Sequence, residues 1–337
     1  MRKNRLFLLI SVFTVIALTA CNGDDDGNTT ETSDGGSFSF EMADTHAEGF
    51  PTILGNEEFA RLIEDATDGE IAITVFSGGV LGDEATTLQQ VQLGVIDMVR
   101  VPVTLLASID AGFDVLALPY IWNDSETMLD VLDGELGDYF RYRLNQNGLH
   151  GLVWYYPGAR HIYNSSHEIL TPDDLSGLRI RVQENQMMMG LIRNLGGAPT
   201  PMPFGEVYSG IQTGVVNGAE NNLASFISTA HFEVAPYLTL TAHTLSPELI
   251  VINLDIWESL SSEQQNVMME AARGGAALQR TEQNIALSKA EEVALEAGVI
   301  ITRLTAEERQ AFGDLMEPLY DEFSQFQDLI DKIREAQ

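Results

Sequence analysis

Strand-like and helical segments alternate along almost the whole chain from Phe38 to Gln337. Phe38 to Met42 and Ile71 to Phe76 are short apolar runs typical of buried strands, and Asn56 to Ala66 between them has a helical pattern. The same succession repeats further along, with short links that contain glycine or proline. This alternation predicts an α/β fold. Because a body of this length exceeds what one compact core usually holds, we expect two lobes.

Capping signals mark the helices of the C-terminal part. Ser261 with Gln264 forms a capping box ahead of a proline-free segment that ends at Gly298, which predicts one long helix. Thr305 with Glu308 forms another and predicts a last helix that runs nearly to the end of the chain. A helix as long as the first is able to lie across both lobes.

The start of the chain has the pattern of a bacterial export signal. Three basic residues precede an apolar run that is too short to span a membrane as a helix, and small residues lead up to Cys21. This pattern resembles a lipobox, so we predict a signal peptide over residues 1–20 and lipidation of Cys21. The alternative is an ordinary signal peptide with an incidental cysteine. Residues 21–37 carry the cysteine and an acidic stretch without apolar residues, which predicts a flexible tether.

The charge of the chain excludes one class of partner. The formal net charge is −32, and removal of residues 1–20 takes away three positive charges and no negative ones. A surface this acidic argues against nucleic acid as a partner, and we interpret it as a solvated surface suited to a salty or alkaline exterior. Since Cys21 is the only cysteine, the exported body is held together by its core and not by an internal disulfide.

Motifs of common enzyme classes are missing from the sequence. It contains no glycine-rich phosphate loop and no HExxH, CxxC or GxSxG pattern. The six histidines lack the helical i, i+4 pairing that favours a metal site. The sequence therefore predicts no enzyme, no cofactor and no bound metal.

Arg181 is the residue that points to a ligand. In the segment Leu178 to Val182, Arg179 and Arg181 share one face of a predicted strand, while Ile180 and Val182 share the other. One interpretation is an exposed edge strand with two solvated arginines; the other is a strand that faces a ligand. A guanidinium presents parallel donors that fit a carboxylate, and it stays charged at any relevant pH. A small carboxylate is therefore the ligand that this pattern favours.

Several separated blocks around Arg181 resemble one protein family. They look like successive signatures of the substrate-binding proteins of tripartite ATP-independent periplasmic (TRAP) transporters, in the DctP-like group, and the resemblance covers nearly all of the body in the right order. The blocks are Leu81 to Met98, Gly158 to Arg160, Pro172 to Val182 and Leu195 to Asn221. The resemblance implies a two-lobed fold like that of periplasmic binding proteins, a Venus flytrap with a long helix that spans both lobes and a cleft that closes on a small organic acid.

The resemblance also implies roles for individual residues. Arg181 matches the arginine that carries the ligand carboxylate, and Arg160 matches a second arginine that helps in some members. Phe204 matches a position that packs on the body of the ligand. Glu220 and Asn221 match pocket positions, with Asn221 as a polar contact.

Two acidic residues and three departures complete the expected site. Asp83 and Glu84 fall where the first lobe faces the cleft, with helix capping as the alternative. Gln183 and Glu184 replace the proline and asparagine of sialic-acid binders, which argues against that substrate. Asn221 replaces the tryptophan that follows the matched glutamate in a metal-assisted keto-acid branch, which argues against a bound metal.

These expectations assign residues 38–157 with 247–288 to lobe I and residues 158–246 with 289–337 to lobe II. The expected partners are a small organic acid and the small and large membrane subunits of a TRAP transporter, which take up the acid by means of an ion gradient. The expected state is a monomer outside the cytoplasm, lipid-anchored to the cell membrane and periplasmic where the cell has an outer membrane. Two alternatives are a subunit that senses an organic acid for a signalling receptor and a secreted enzyme, for which no proton-transfer pair is visible.

Overall fold

The computed structural model describes residues 37–337. Within that range the chain forms eleven strands: β1 Phe38–Ala43, β2 Ile71–Phe76, β3 Met98–Pro102, β4 Leu149–Tyr155, β5 Ala159–Asn164, β6 Arg179–Val182, β7 Ala198–Pro201, β8 Gly218–Asn222, β9 Tyr237–Leu245, β10 Glu248–Asn253 and β11 Ile300–Thr302. The α-helices are α1 Pro51–Ala66, α2 Glu84–Gln92, α3 Val103–Leu106, α4 Ser125–Leu132, α5 Glu135–Arg143, α6 Gln186–Asn194, α7 Val207–Gln212, α8 Leu223–Ser228, α9 His231–Val234, α10 Leu254–Ser259, α11 Ser262–Glu296, α12 Ala306–Asp314, α13 Glu317–Glu322 and α14 Gln327–Glu335.

The strands form two sheets, which confirms the predicted two-lobed α/β fold. The first sheet has the order β2-β1-β3-β10-β4, and the second has the order β11-β9-β5-β8-β6-β7. In the first, β1 runs parallel to β2 and β3 while β10 runs antiparallel to β3 and β4. In the second, β6 runs parallel to β7 and β8 while β5 runs antiparallel to β8 and β9. The residue limits given above for the two lobes remain a prediction.

The long helix α11 runs from one sheet to the other, as its capping box predicts. Ser261 and Gln264 form that box through reciprocal hydrogen bonds. The N-terminal half of α11 packs in the core of the first sheet and its C-terminal end in the core of the second, through small residues: Ala271, Ala272 and Ala276, then Ala290 and Ala294. A single rigid element therefore underlies both sheets.

Close backbone packing fixes α11 against α1. A Cβ atom on Gly275 would lie 2.5 Å from the carbonyl oxygen of Gly55, so the two helices touch where neither has a side chain. One turn on, Gln279 donates to the carbonyl of Tyr156 (2.8 Å) and accepts from its N–H (3.1 Å), and Gln283 donates to the carbonyl of Pro157 (2.7 Å). These buried amides tie the helix to the link between β4 and β5, where the chain crosses between sheets.

The prediction of one final helix is wrong, because that segment forms α12, α13 and α14 in succession. Pro318 stands in the first turn of α13 and lacks the N–H that would extend the preceding helix. Tertiary contacts use the break: Leu319 lies against Gly190 of α6, where a Cβ would come within 2.6 Å of it. The hydroxyl of Tyr320 donates to the carbonyl of Pro119 (2.8 Å).

The predictions for the N-terminal segment concern residues 1–37, of which residues 1–36, including Cys21, lie outside the described range. Among residues 37–337, the helices all lack the combination of length and apolar character that crossing a membrane requires.

Candidate functional site

Arg181 is a buried cation that has no ion pair among residues 37–337. It stands in the middle of β6, which pairs with β7 on one side and β8 on the other, and its side chain is 3% exposed. Its Nε donates to the carbonyl oxygen of Met202 at 2.8 Å. Burial lowers the pKa of Arg181, and the more distant carboxylate of Glu220 opposes that effect. Since guanidinium remains protonated in proteins, the site holds a desolvated positive charge.

Arg181 lines a narrow cavity of about 10 Å³, called the cleft below, which lies between two walls and has room for about one water molecule. One wall is Asp83, Glu84, Ala85 and Leu105; the other is Arg181, Gln183, Glu184, Met202, Pro203 and Phe204. Next to it the walls touch: Thr104 Oγ1 donates to Gln183 Oε1 (2.7 Å), and Asn185 Nδ2 donates to the carbonyl of Thr104 (2.8 Å). The arrangement is therefore a closed one.

Glu84 is held rigidly opposite Arg181. Its Oε1 accepts hydrogen bonds from Arg100 Nη1 (2.8 Å) and Thr45 Oγ1 (3.2 Å). Its side chain is 12% exposed, and among the described residues its Oε2 has no partner. Asp83 lies beside it, but Asp83 caps α2: its carboxylate accepts from the N–H of Thr86 (2.8 Å) and from the hydroxyl of that residue (3.0 Å). Of the two acids, Glu84 is the one with a free oxygen.

Arg100, which sequence reasoning missed, is the centre of a buried cluster behind Glu84. Its Nη2 and Nε bind the two oxygens of Asp44 at 2.5 and 3.1 Å, and its Nη1 lies 3.4 Å from Glu248. Burial disfavours its charge, yet the surrounding carboxylates raise the pKa of Arg100. Burial likewise opposes ionisation of Asp44, but Arg100 and His46 hold the pKa of Asp44 below its usual range. The positive charge of Arg100 is therefore balanced by carboxylates of the protein itself.

Arg160 is also compensated, unlike Arg181. Its Nε and Nη2 bind the two oxygens of Glu220 at 2.6 and 2.8 Å, and its Nη1 donates to Asn221 Oδ1 at 2.9 Å. Glu220 is fully buried and lies 3.3 Å from His243. Burial opposes its ionisation, but Arg160 and His243 lower the pKa of Glu220 to about 2. The structure thus brings Arg160, Glu220 and Asn221 into one network, with Glu220 behind the arginine.

Aromatic rings border the cleft next to this network. Phe204 lies in a single turn at Phe204–Glu206, and its ring centroid is 5.3 Å from that of His46 and 6.2 Å from that of His231. His46 in turn stacks on Phe50 with a centroid distance of 3.9 Å. Phe204 lines the cleft together with Arg181. Two histidines that the sequence did not single out, His46 and His231, lie next to its ring.

Other features are less suited to capture an anion. A larger cavity of about 800 Å³ lies between α5 and α11. Of its three arginines, Arg141 and Arg280 pair with Asp138 and Asp133, and Arg273 is exposed to solvent. Among residues 37–337 there is no group of three or more metal-ligating side chains close enough to hold an ion. The cleft is where a buried positive charge lacks an anion.

The comparisons with known proteins agree with this geometry. Residues 42–326 match the family model described as bacterial extracellular solute-binding protein, family 7 (DctP). The chain belongs to this DctP family. Membership confirms the predicted solute-binding function and the prediction that the chain is not an enzyme.

Relatives in the family are similar over most of their length. A solute-binding protein of Chromohalobacter salexigens is 35% identical over 87% of this chain and 88% of its own. A TRAP periplasmic solute-binding protein of the same organism, solved with bound D-glucuronate, is 34% identical, has a TM-score of 0.86 and is matched over 88% of this chain and 100% of its own. One from Sulfitobacter sp. NAS-14.1, with bound β-D-galacturonate, is 33% identical with a TM-score of 0.85, over 88% and 99% of the two chains.

Proposed function

We propose that this DctP-family protein captures a hexuronate, a six-carbon sugar acid with one carboxylate, in the cleft. The observation that carries the proposal is Arg181: a guanidinium that is 3% exposed, bonded through Nε alone and without a carboxylate partner among residues 37–337. A buried charge without a partner is strongly unfavourable unless a ligand supplies the opposite charge. The two Nη groups of Arg181 are suited to hold the ligand carboxylate by a pair of parallel hydrogen bonds.

The opposite wall suits the hydroxyl groups of a sugar. Glu84 Oε2 is an acceptor held in place by the contacts of Oε1, and a sugar hydroxyl is a donor. Phe204 offers its aromatic face to the C–H groups on one side of the sugar ring. Asn221, oriented by Arg160, supplies the predicted polar contact, and Glu220 acts on the ligand only through Arg160. Asp83 contributes by capping the helix that carries Glu84.

Closure of the cleft follows from contacts with both walls. The closed arrangement leaves only about 10 Å³ in the cleft, so a ligand enters when the walls part; one that then bridges Arg181 and Glu84 shifts the population toward closure around itself. The direct contact of Thr104 with Gln183 adds to the closed state without touching the ligand. The bound ligands of the two solved relatives, glucuronate and galacturonate, support a hexuronate over a shorter acid.

Delivery completes the proposed function. The protein passes its ligand to the small and large membrane subunits of a TRAP transporter, acts as a monomer, and stays near the membrane through a lipid on Cys21. The observation behind the anchor is the placement of Cys21 directly after a short export signal.

A binding panel tests the proposed ligand class. The purified protein is titrated by calorimetry with D-glucuronate, D-galacturonate, a C4-dicarboxylate and a neutral hexose, and its thermal stability is measured with each. We expect binding and stabilisation by at least one uronate and none by the hexose, which lacks the carboxylate. A protein that binds the hexose as well as the uronate, or binds neither uronate, contradicts the proposal.

A further inference from the structure

The wall opposite Arg181 carries more negative than positive charge. Asp44, Glu84 and Glu248 surround the single guanidinium of Arg100, at 2.5, 2.8 and 3.4 Å. Burial raises the pKa of Glu248 and so favours its neutral form, while Asp44 balances Arg100 and Glu84 is left as the surplus charge. Asp44 and Arg100 are at most 1% exposed at their side chains, so water screens these charges poorly. The cleft therefore joins an uncompensated cation on one wall to surplus carboxylate on the other.

Arg100 has no donors left for a ligand. Its Nε and Nη2 are engaged by Asp44, and its Nη1 by Glu84 and Glu248. Within residues 37–337, Glu248 Oε2 is itself a buried oxygen without a hydrogen-bond partner. The side chains of this cluster therefore have no guanidinium donor free for another carboxylate, and among residues 37–337 the Oε2 atoms of Glu84 and Glu248 are oxygens without a hydrogen-bond partner.

We propose that the carboxylate cluster around Arg100 is a selectivity filter: it admits sugar acids with one carboxylate and rejects the corresponding aldaric acids, which carry a carboxylate at both ends. This inference rests on the proposed function, in which the ligand carboxylate lies on Arg181. The far end of a uronate presents hydroxyl donors to Glu84 Oε2. The far end of an aldarate presents a second anion to a fixed anion, and like charges brought together in a poorly screened site repel each other.

Matched pairs of ligands test the filter directly. D-Glucuronate and D-glucarate share a carbon skeleton and differ at C1, and D-galacturonate and galactarate form a second such pair. The uronate closes to a ring and the aldarate stays an open chain, so D-gluconate, an open chain with one carboxylate, separates the effect of charge from that of the ring. Calorimetric titration of the wild-type protein at neutral pH gives a dissociation constant for each. We expect each aldarate to bind on the order of 100-fold more weakly than its uronate, or not at all.

Glu84→Gln removes the negative charge and adds an amide donor at the same position. We expect the ratio of the two dissociation constants within each uronate–aldarate pair to shrink to about tenfold or less, mainly because the aldarate gains affinity. Glu126→Gln is the matched control: Glu126 also lies in the first turn of a helix capped by an aspartate, but it is exposed on α4, so both ratios should stay as in the wild type. Thr45→Val removes one of the hydrogen bonds that hold Glu84 but leaves the negative charge of Glu84 in place. It should therefore weaken uronate binding yet keep the discrimination between uronate and aldarate.

The outcomes separate the two proposals. If the wild type binds uronates and binds the matched aldarates within tenfold, the filter is refuted while the proposed function stands. If Glu84→Gln keeps its fold and its uronate binding but also keeps the full discrimination, Glu84 is not the filter and the inference fails. If the wild type binds neither uronate, the proposed function itself is refuted and the filter falls with it.

Discussion

Arg160 and Glu220 form a buried, bidentate ion pair, with Nε and Nη2 of the arginine 2.6 and 2.8 Å from the two carboxylate oxygens. Arg181 lies on the same sheet and has no such partner among residues 37–337. The two matched arginines thus do different things. Arg160 pairs with Glu220 inside the protein and donates a hydrogen bond to Asn221, whereas Arg181 is the arginine that we propose for the ligand carboxylate.

Replacement of Arg181 should separate binding from stability. We expect Arg181→Met to weaken uronate binding on the order of 100-fold or more, since two charge-assisted hydrogen bonds contribute about 1.5–3 kcal/mol each. The unliganded protein should be at least as stable as the wild type, because a buried cation without a counterion is removed. Calorimetry and thermal melts measure the two effects. Arg179→Met, on the exposed end of the same strand, is the control and should bind normally.

Glu220→Gln should act through Arg160 and change the response to acid. Breaking a buried pair from one side costs about 3–5 kcal/mol at neutral pH, and uronate affinity should fall because Arg160 no longer fixes Asn221. The pKa of Glu220 is lowered from 4.5 to about 2, so its stabilising effect is complete above pH 4.5 and is lost as the pH falls toward 2.

Urea denaturation over that pH range measures the effect. As the pH falls, the free energy of unfolding should decrease more steeply for the wild type than for Glu220→Gln, because the glutamine at position 220 does not titrate. Equal slopes in the two proteins would show that the carboxylate of Glu220 is not the group responsible.

Adjacent glycines of α11 should differ in their tolerance of a methyl group. A Cβ on Gly275 meets the backbone oxygen of Gly55 at 2.5 Å, whereas one on Gly274 meets only the end of the flexible Leu62 side chain. We expect Gly275→Ala to destabilise the fold by about 1–3 kcal/mol, as overpacking does. Gly274→Ala should be much milder, since alanine also favours the helix. Chemical denaturation of both variants decides the point, and equal effects would contradict it.

Thr104→Val should loosen the closed state through a residue that does not itself line the cleft. It removes the hydrogen bond to Gln183 across the cleft, and such a bond contributes about 0.5–1.5 kcal/mol. Uronate affinity should therefore fall by roughly two- to tenfold, and small-angle scattering should show a larger open fraction at subsaturating ligand. Thr281→Val, on an exposed turn of α11, provides the comparison and should match the wild type.

The lipid anchor is testable in cells. Cys21→Ser should abolish incorporation of labelled palmitate and release the protein from the membrane fraction, because the serine cannot carry the thioether-linked lipid. Uronate binding by the released protein should be unchanged. Persistent membrane attachment of the variant would contradict lipidation at this residue.

Local sequence signals predicted the elements that carry the cleft. The apolar alternation of Leu178 to Val182 predicted strand β6, and the capping boxes at Ser261 and Thr305 predicted where α11 and α12 begin. Each of these signals depends only on residues within one or two turns of one another, so it can be recognised in a short stretch of sequence. The continuity of the last helical segment was mispredicted, because Pro318 and the packing of Leu319 divide it.

The sequence by itself determined that Arg181 lies in an apolar strand two residues after Arg179, and that Arg100 lies within the apolar run of β3. Only the tertiary structure made the two different. The pairing of β3 with β1 and β10 brings Asp44 and Glu248 to Arg100 from distant parts of the chain. No carboxylate comes within ion-pair distance of Arg181 from the described residues. Whether a buried charge is compensated depends on distances of a few ångströms between separate strands. The spacing of residues along the chain does not reveal those distances.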